Sequence, residues 1–217
     1  ITSNTVNPLK KIYLAHLTRK LKNFELASLG LFDGVTTVSH IDADYFNSLG
    51  YSVPILNVPF GVDVNNYEIK ESDYEFPSLF HLGAMNWIPN EEGIKWFLDN
   101  CWIKIHQRFP ELKFYLAGRM MPDWLINLNL PNVEVVGEVP DAQSFIRSKA
   151  IMIVPLFSGS GIRVKIIEGM ALGKTVISSD IGAEGIDFIA GQHLLIANTP
   201  EEFLLAIERC IADRDFC

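Results

Sequence analysis

Three observations predict an α/β protein built on a doubly wound parallel sheet. Short β-rich runs alternate with helical periods along most of the chain, Gly, Pro and Asn punctuate the joins, and one apolar run feeds through a Ser/Gly loop straight into a helix. In chain order, a helix is expected near 9–29, a strand near 35–39, a helix near 41–49 and a strand near 53–58. The polar stretch 65–77 reads as a linker. Strands follow near 78–83, 112–117, 133–136, 150–155, 174–178 and 193–196. Helices are interleaved near 90–108, 141–148, 162–172 and 200–212. The last helix opens on Pro200-Glu201-Glu202, a proline and two acids in the first turn, as helix starts favour. No internal repeat or low-complexity tract interrupts this pattern.

Composition narrows the function classes. The 217 residues are 48% hydrophobic and 20% charged, enough to bury a real core as one large or two modest domains. A net charge of −8 argues against a general nucleic-acid binder. Cys101, Cys210 and Cys217 show no paired spacing, which favours a reducing cytoplasm. No apolar run approaches the roughly 20 residues of a membrane span, and no stretch has the layout of a secretory leader. The basic run Lys10, Lys11, Arg19, Lys20 and Lys22 reads first as a solvated helix face, with peripheral contact at the inner face of a membrane as the alternative.

Three motifs are set aside. Gly169-Met170-Ala171-Leu172-Gly173-Lys174-Thr175 has three residues between its glycines where a phosphate-binding P-loop has four, and it joins helix to strand in the reverse order. Asp42-Ala43-Asp44 resembles a metal-binding DxD, yet it opens an expected helix, where acids belong on electrostatic grounds. His16, His40, His81, His106 and His193 never stand four apart from another ligand, so no metal site is expected.

The chemistry concentrates in Pro155–Ile186. Gly159 and Gly161 lack a Cβ to hold an anion off the loop backbone, so N–H groups of Ser158 to Gly161 are expected to approach one. The helix that follows points its positive end at the same place and brings Arg163 and Lys165 with it. Glu168, less than two turns in, can accept from a sugar or ribose hydroxyl. The bland alternative is a Gly-rich turn that binds nothing, with Lys165 and Glu168 as a surface pair.

The order of that loop, Gly161, the helix with Glu168, Gly173-Lys174-Thr175-Val176 and Gly182-Ala183-Glu184-Gly185 resembles the donor half of a GT-B glycosyltransferase of the family 4 type. Phe80-His81-Leu82-Gly83-Ala84-Met85, Trp87, Pro89-Asn90, Tyr115-Leu116-Ala117-Gly118-Arg119 and Val136-Gly137-Glu138-Val139 stand in the matching order. The resemblance covers about residues 78–213 and extends weakly back through Thr36–Ser39 and Pro59–Asp63.

It implies a Rossmann-like donor domain at 78–217, preceded by the linker 65–77 and, at 1–64, by a remnant of an N-terminal acceptor-side domain. The chain is then expected to be a piece of a longer enzyme, too incomplete to transfer sugar alone. The implied reaction passes a glycosyl group from a nucleoside diphosphate sugar to an acceptor hydroxyl of a glycan or lipid-linked acceptor. Configuration is retained, and neither cofactor nor metal is needed. The residues expected to be catalytic here are Arg163 and Lys165. The implied donor-binding residues are Gly83, Arg119, Val139, Ser160, Gly161, Ile162 and Glu168, with Trp87 and Glu184 as candidates beside a core or capping role.

Two departures from the family pattern stand out. Ser160 occupies the place of the first of two glutamates, and the segment Gly83–Asn90 lacks the usual Arg and Lys. Arg163 and Lys165 are expected to supply those charges from across the cleft. A non-catalytic nucleotide-sugar-binding module or a sugar-nucleotide epimerase of the same fold is the alternative.

Overall fold

The computed structural model describes residues 7–50, 52–67 and 74–217. It divides into two compact bodies, Ile1–Phe60 and Gly61–Cys217. The first opens with α1 (Pro8–Leu29), started by the Asn7 side chain, which accepts from the N–H groups of Leu9 and Lys10. Strand β1 (Val35–Thr37), helix α2 (His40–Ser48) and strand β2 (Ile55–Asn57) form a βαβ unit with a parallel pair. Ser39 caps α2, and Asp42 lies in its first turn as the charge pattern predicts.

The second body begins at Gly61, ahead of the expected boundary at 64/65. Residues 68–73 of the expected linker lie outside the described residues. Flanking them, Tyr67, Tyr74 and Phe76 pack against this body's core. Strand β3 (Ser78–Leu82) is followed by α3 (Ile88–Phe97), a π-turn (Leu98–Trp102) and α4 (Ile103–Arg108), which together fill the single helix expected near 90–108. Leu98, Cys101 and Trp102 are all buried in that wider turn. Next come β4 (Lys113–Ala117), the four-residue α5 (Asp123–Ile126), β5 (Val133–Gly137), α6 (Ala142–Arg147) and β6 (Ile151–Val154). The chain continues through α7 (Val164–Ala171), β7 (Thr175–Ser178), β8 (Leu195–Ile196) and α8 (Pro200–Ala212).

Six strands lie in the order β5-β4-β3-β6-β7-β8, every neighbour parallel. Numbered within this body the order is 3-2-1-4-5-6, the doubly wound arrangement that the sequence predicts. Alternation along each strand splits the core into two layers. Leu79, Phe114, Leu116, Ile151, Ile153 and Ile177 face one, with α3, α4 and α8. Phe80, Tyr115, Met152, Val154 and Val176 face the other, with Ile146 of α6 and Ile166 of α7. Because both faces are covered, β6 is wholly buried and reads as an unbroken apolar run.

The capping of α8 gives a direct check on this layer. Thr199 Oγ1 accepts from Glu202 N at 3.2 Å while Glu202 Oε2 accepts from Thr199 N at 3.1 Å. Thr199→Ala is expected to cost about 1 kcal/mol, seen as a melting temperature lowered by roughly 2–4 °C. An unchanged melting temperature would show that the cap contributes nothing.

Candidate functional site

In an open parallel sheet the strand order reverses at one place, and there the crossovers leave on opposite faces and open a crevice at the carboxyl ends. Here the reversal falls between β3 and β6. The crevice is bounded by Gly83 and the start of α3 on one side, and by the loop after β6 and α7 on the other. A cavity of about 470 Å³ fills it, lined among others by Gly83, Trp87, Asn90, Arg163, Lys165 and Glu168. A second, of about 280 Å³, shares Leu82 and Gly83 with the first and reaches Gly118, Arg119, Glu138 and Val139.

Glycines allow the walls to close. A Cβ on Gly83 would stand 2.6 Å from Asn90 Nδ2 and 3.0 Å from Lys165 Nζ. At Gly118, whose φ is +146°, a Cβ would overlap the Gly83 carbonyl oxygen. The loop 155–163 is seated on α3: Gly93 meets the Pro155 carbonyl without a side chain between them, and the Phe157 ring lies 4.4 Å from that of Trp96.

Arg163 is the N-cap residue of α7 and is buried. Its Nη1 donates to the carbonyl oxygens of Ser160, at 2.7 Å, and Gly161, and its guanidinium carbon lies 5.0 Å from the Trp87 ring centre. The sequence aims the loop's N–H groups at an anion, whereas the structure turns two of the loop's carbonyls in upon Arg163. Nε and Nη2 of Arg163 are buried without a hydrogen-bond partner among the described residues. Burial lowers its pKa, opposed by the charge of Glu184.

Lys165 projects from the first turn of α7 beneath Gly83. Its Nζ donates to Asn90 Oδ1 at 2.8 Å and to His81 Nε2 at 3.3 Å. Asn90 is oriented in turn, since its Nδ2 donates to the Ala84 carbonyl at 2.9 Å. His81 is fully buried, and its Nδ1 lies 2.8 Å from the Ile153 carbonyl oxygen. A carbonyl only accepts, so the imidazole proton sits on Nδ1 and Nε2 is left as an acceptor. Burial, together with the Lys165 charge, holds the His81 pKa well below its usual value and the ring neutral. Burial, with repulsion from Arg163, lowers the Lys165 pKa to about 7. Lys165 still keeps part of its surface on the cleft. Among the described residues no carboxylate lies within ion-pair distance of Arg163 or Lys165. Glu168 receives a hydrogen bond from the Tyr67 hydroxyl at 3.3 Å.

Of the expected residues, Gly83, Ser160, Ile162, Arg163, Lys165 and Glu168 come together in the larger cavity, and Arg119 and Val139 join Gly83 in the smaller. Gly161 contributes through its carbonyl on Arg163. Arg119 pairs with Glu138 at 3.0 Å, both side chains largely in solvent. The sequence missed His81, Asn90 and Tyr67 as parts of the site. A histidine in an otherwise apolar strand was the available signal for the first. A further cavity of about 230 Å³ lies at the amino end of β7, around Lys174 and Cys217, and includes none of these residues. Among the described residues no cluster of His, Cys, Asp and Glu is arranged to hold a metal, and no helix is long and apolar enough to cross a membrane.

Sheet order and crevice together define a Rossmann-like, doubly wound α/β domain, the architecture of the GT-B glycosyltransferases it resembles. The chain belongs to the glycosyl transferases group 1 family, whose model matches residues 76–213. It is 23% identical over 209 residues to an uncharacterized 44.6 kDa protein in the cps region of Klebsiella pneumoniae, covering 91% of this chain and 51% of that one. The chain thus spans about half the length of this curated relative. Among solved structures it resembles TarM of S. aureus in complex with fondaparinux, α-GlcNAc-glycerol and UDP, with a TM-score of 0.74 and 16% identity, covering 91% of this chain and 40% of TarM. HepE of Anabaena in complex with UDP and glucose gives a TM-score of 0.65 at 16% identity, covering 89% and 58%. The C-terminal domain of LpcC, a glycosyl transferase group 1 family protein from Francisella tularensis, gives 0.56 at 15% identity, covering 72% of this chain and 90% of that domain.

Proposed function

We propose that this chain carries the donor half of a glycosyltransferase that moves a glycosyl group from a nucleoside diphosphate sugar to an acceptor hydroxyl, with retention and without a metal. The observation that carries the reading is a pair of cations at the crevice, Arg163 buried and Lys165 half-buried, with no carboxylate in ion-pair contact with either among the described residues. A buried cation without a counter-charge is costly, and an anionic ligand supplies one. Complexes of HepE with UDP and glucose, and of the pneumococcal transferase GtfA with UDP and GlcNAc, support a nucleotide sugar as that ligand.

In the proposed reaction the bond from the anomeric carbon to the diphosphate breaks and its electron pair stays on the diphosphate oxygen. The acceptor oxygen bonds to the anomeric carbon and its proton passes to the departing diphosphate. Charge grows on the leaving group, and Lys165 Nζ, with the Arg163 guanidinium as a fixed positive charge in the cavity wall, stabilises it. Glu168, with Tyr67 displaced, takes a ribose hydroxyl, while the smaller cavity between Gly118 and Val139 takes the base. The acceptor is proposed to be a glycan or a lipid-linked chain in polysaccharide synthesis, a reading supported by the cps-region relative. A second reading, donor binding without transfer, rests on Ser160, which brings a hydroxyl where the family pattern has a carboxylate.

Thermal shift of the full-length protein with UDP, GDP, ADP, CMP, dTDP and their common sugars tests this. A ligand at 100 times its dissociation constant stabilises by about 2.7 kcal/mol, so one nucleotide class is expected to raise the melting temperature by several degrees. A flat panel overturns the donor reading. Binding without turnover of any acceptor favours the second reading.

A further inference from the structure

His81 has no place in the reaction just described, yet it is buried at the switch point with one nitrogen turned toward the crevice. An ammonium has three protons to place. Asn90 Oδ1 takes one from Lys165 and His81 Nε2 takes another. We propose that His81 is a positioning residue for donor binding: with Asn90 it fixes two of the three Lys165 N–H bonds and so aims the third at an anionic oxygen of the ligand. This rests on the donor reading of the crevice.

The support is neutral by construction. The Ile153 carbonyl fixes the His81 tautomer, and the Ala84 carbonyl fixes the Asn90 amide. A carboxylate at either place would satisfy the ammonium permanently and weaken its pull on a ligand. Among the described residues, the charged or titratable groups beside this ammonium are His81 from β3 and Arg163 at the N-cap of α7, with Glu168 of α7 lining the same cavity. From α3 it bonds the Asn90 amide, Ser160 of the loop after β6 lines the same cavity, and the charge of Glu184 acts on Arg163.

Proton uptake follows from this arrangement. Unliganded, Lys165 sits at about 7 because burial and Arg163 disfavour its charge. An anionic ligand favours the charged form and raises that value. Between the free and the raised pKa, binding takes up a proton and affinity falls as pH rises, approaching tenfold per pH unit. Below the free pKa the affinity is flat.

Calorimetry of the full-length protein with UDP-glucose, whose diphosphate ester stays ionised throughout, is the test. Wild type is expected to take up about half a proton near pH 7, read from titrations in two buffers of different ionisation enthalpy. His81→Phe keeps the ring and removes the acceptor. It is expected to weaken binding tenfold or more and to move the pH midpoint down, since the charged form loses a bond that favours it. His81→Gln, whose amide can donate and accept, is expected to restore most of both. Equal behaviour of the two variants, or an unmoved midpoint in His81→Phe, overturns the proposal. Should His81→Phe not fold, Lys165→Met is read instead: weak binding with a flat pH profile is expected, and a retained slope overturns the proposal. Wild type that binds with a flat profile overturns this inference alone. Wild type that binds no nucleotide sugar overturns the donor reading and this inference with it.

Discussion

Replacing Lys165 with methionine is expected to cut the transfer rate of the full-length enzyme by about 10²–10³-fold, the usual effect of losing one donor to a developing oxyanion. The same change is expected to help the unliganded fold at low pH relative to high pH. Lys165 ionises at about 7 in the folded chain against a usual 10.5. Between those values the folded state holds fewer protons than the unfolded one, so wild-type stability rises with pH. Below about pH 7 the ammonium is fully charged and the fold bears its whole burial cost. Methionine removes that cost, on the order of 1–3 kcal/mol for a half-buried cation whose hydrogen bonds offset only part of its lost hydration. The acceptors it frees, Asn90 Oδ1 and His81 Nε2, lie beside an open cleft that water can enter. Thermal melts of wild type and variant at pH 6 and pH 9 decide the matter. The difference in melting temperature should favour the variant more at pH 6. A loss of equal size at both would make Lys165 an ordinary structural contact.

Gly118→Ala is expected to produce the largest loss of stability of any single methyl added at the crevice. Gly118 combines a φ of +146° with a Cβ direction that runs into the Gly83 carbonyl, which belongs to the neighbouring strand end. Backbone strain and overpacking each cost about 1–3 kcal/mol, and together they consume much of the 5–15 kcal/mol that holds a typical domain. Relief by shifting Gly83 would drive it toward Asn90 and Lys165. Gly137→Ala is the control, because φ is +78° there but nothing lies within 4 Å of the added carbon. Denaturant unfolding should show a small loss at Gly137 and a loss several times larger at Gly118. Equal losses would mean that backbone conformation alone sets the cost.

The sheet was legible because burial on both faces favours apolar, β-branched residues: Ile151–Val154 is an unbroken apolar run, and Val176-Ile177 stands at the centre of Thr175–Ser178. Boundaries and small elements were not. The four residues of α5 are too few for a period, and the π-turn at Leu98–Trp102 leaves the apolar spacing of one long helix intact. Tyr67 and Tyr74 read as linker because their neighbours are polar, yet both rings pack on the second body. In the site, Arg163, Lys165 and Glu168 were readable because they share one helix start next to glycines. His81, Asn90 and Tyr67 come from β3, α3 and the segment before β3, and only folding brings them to Lys165 and Glu168. The sequence reading tested the histidines for metal spacing alone, a test blind to a histidine that works by accepting one proton from a lysine.

The loop between β6 and α7 is pinned at three places: Pro155 against Gly93, Phe157 against Trp96, and the Ser160 and Gly161 carbonyls on Arg163. Its length therefore acts as a ruler. One residue added or removed there and taken up by the helix would turn α7 by about 100° and slide it by about 1.5 Å, carrying Lys165 and Glu168 out of the crevice together. A changed side chain at Ser158 or Ser160 would alter one contact, whereas a changed residue count from Pro155 to Val164 would move the whole helix.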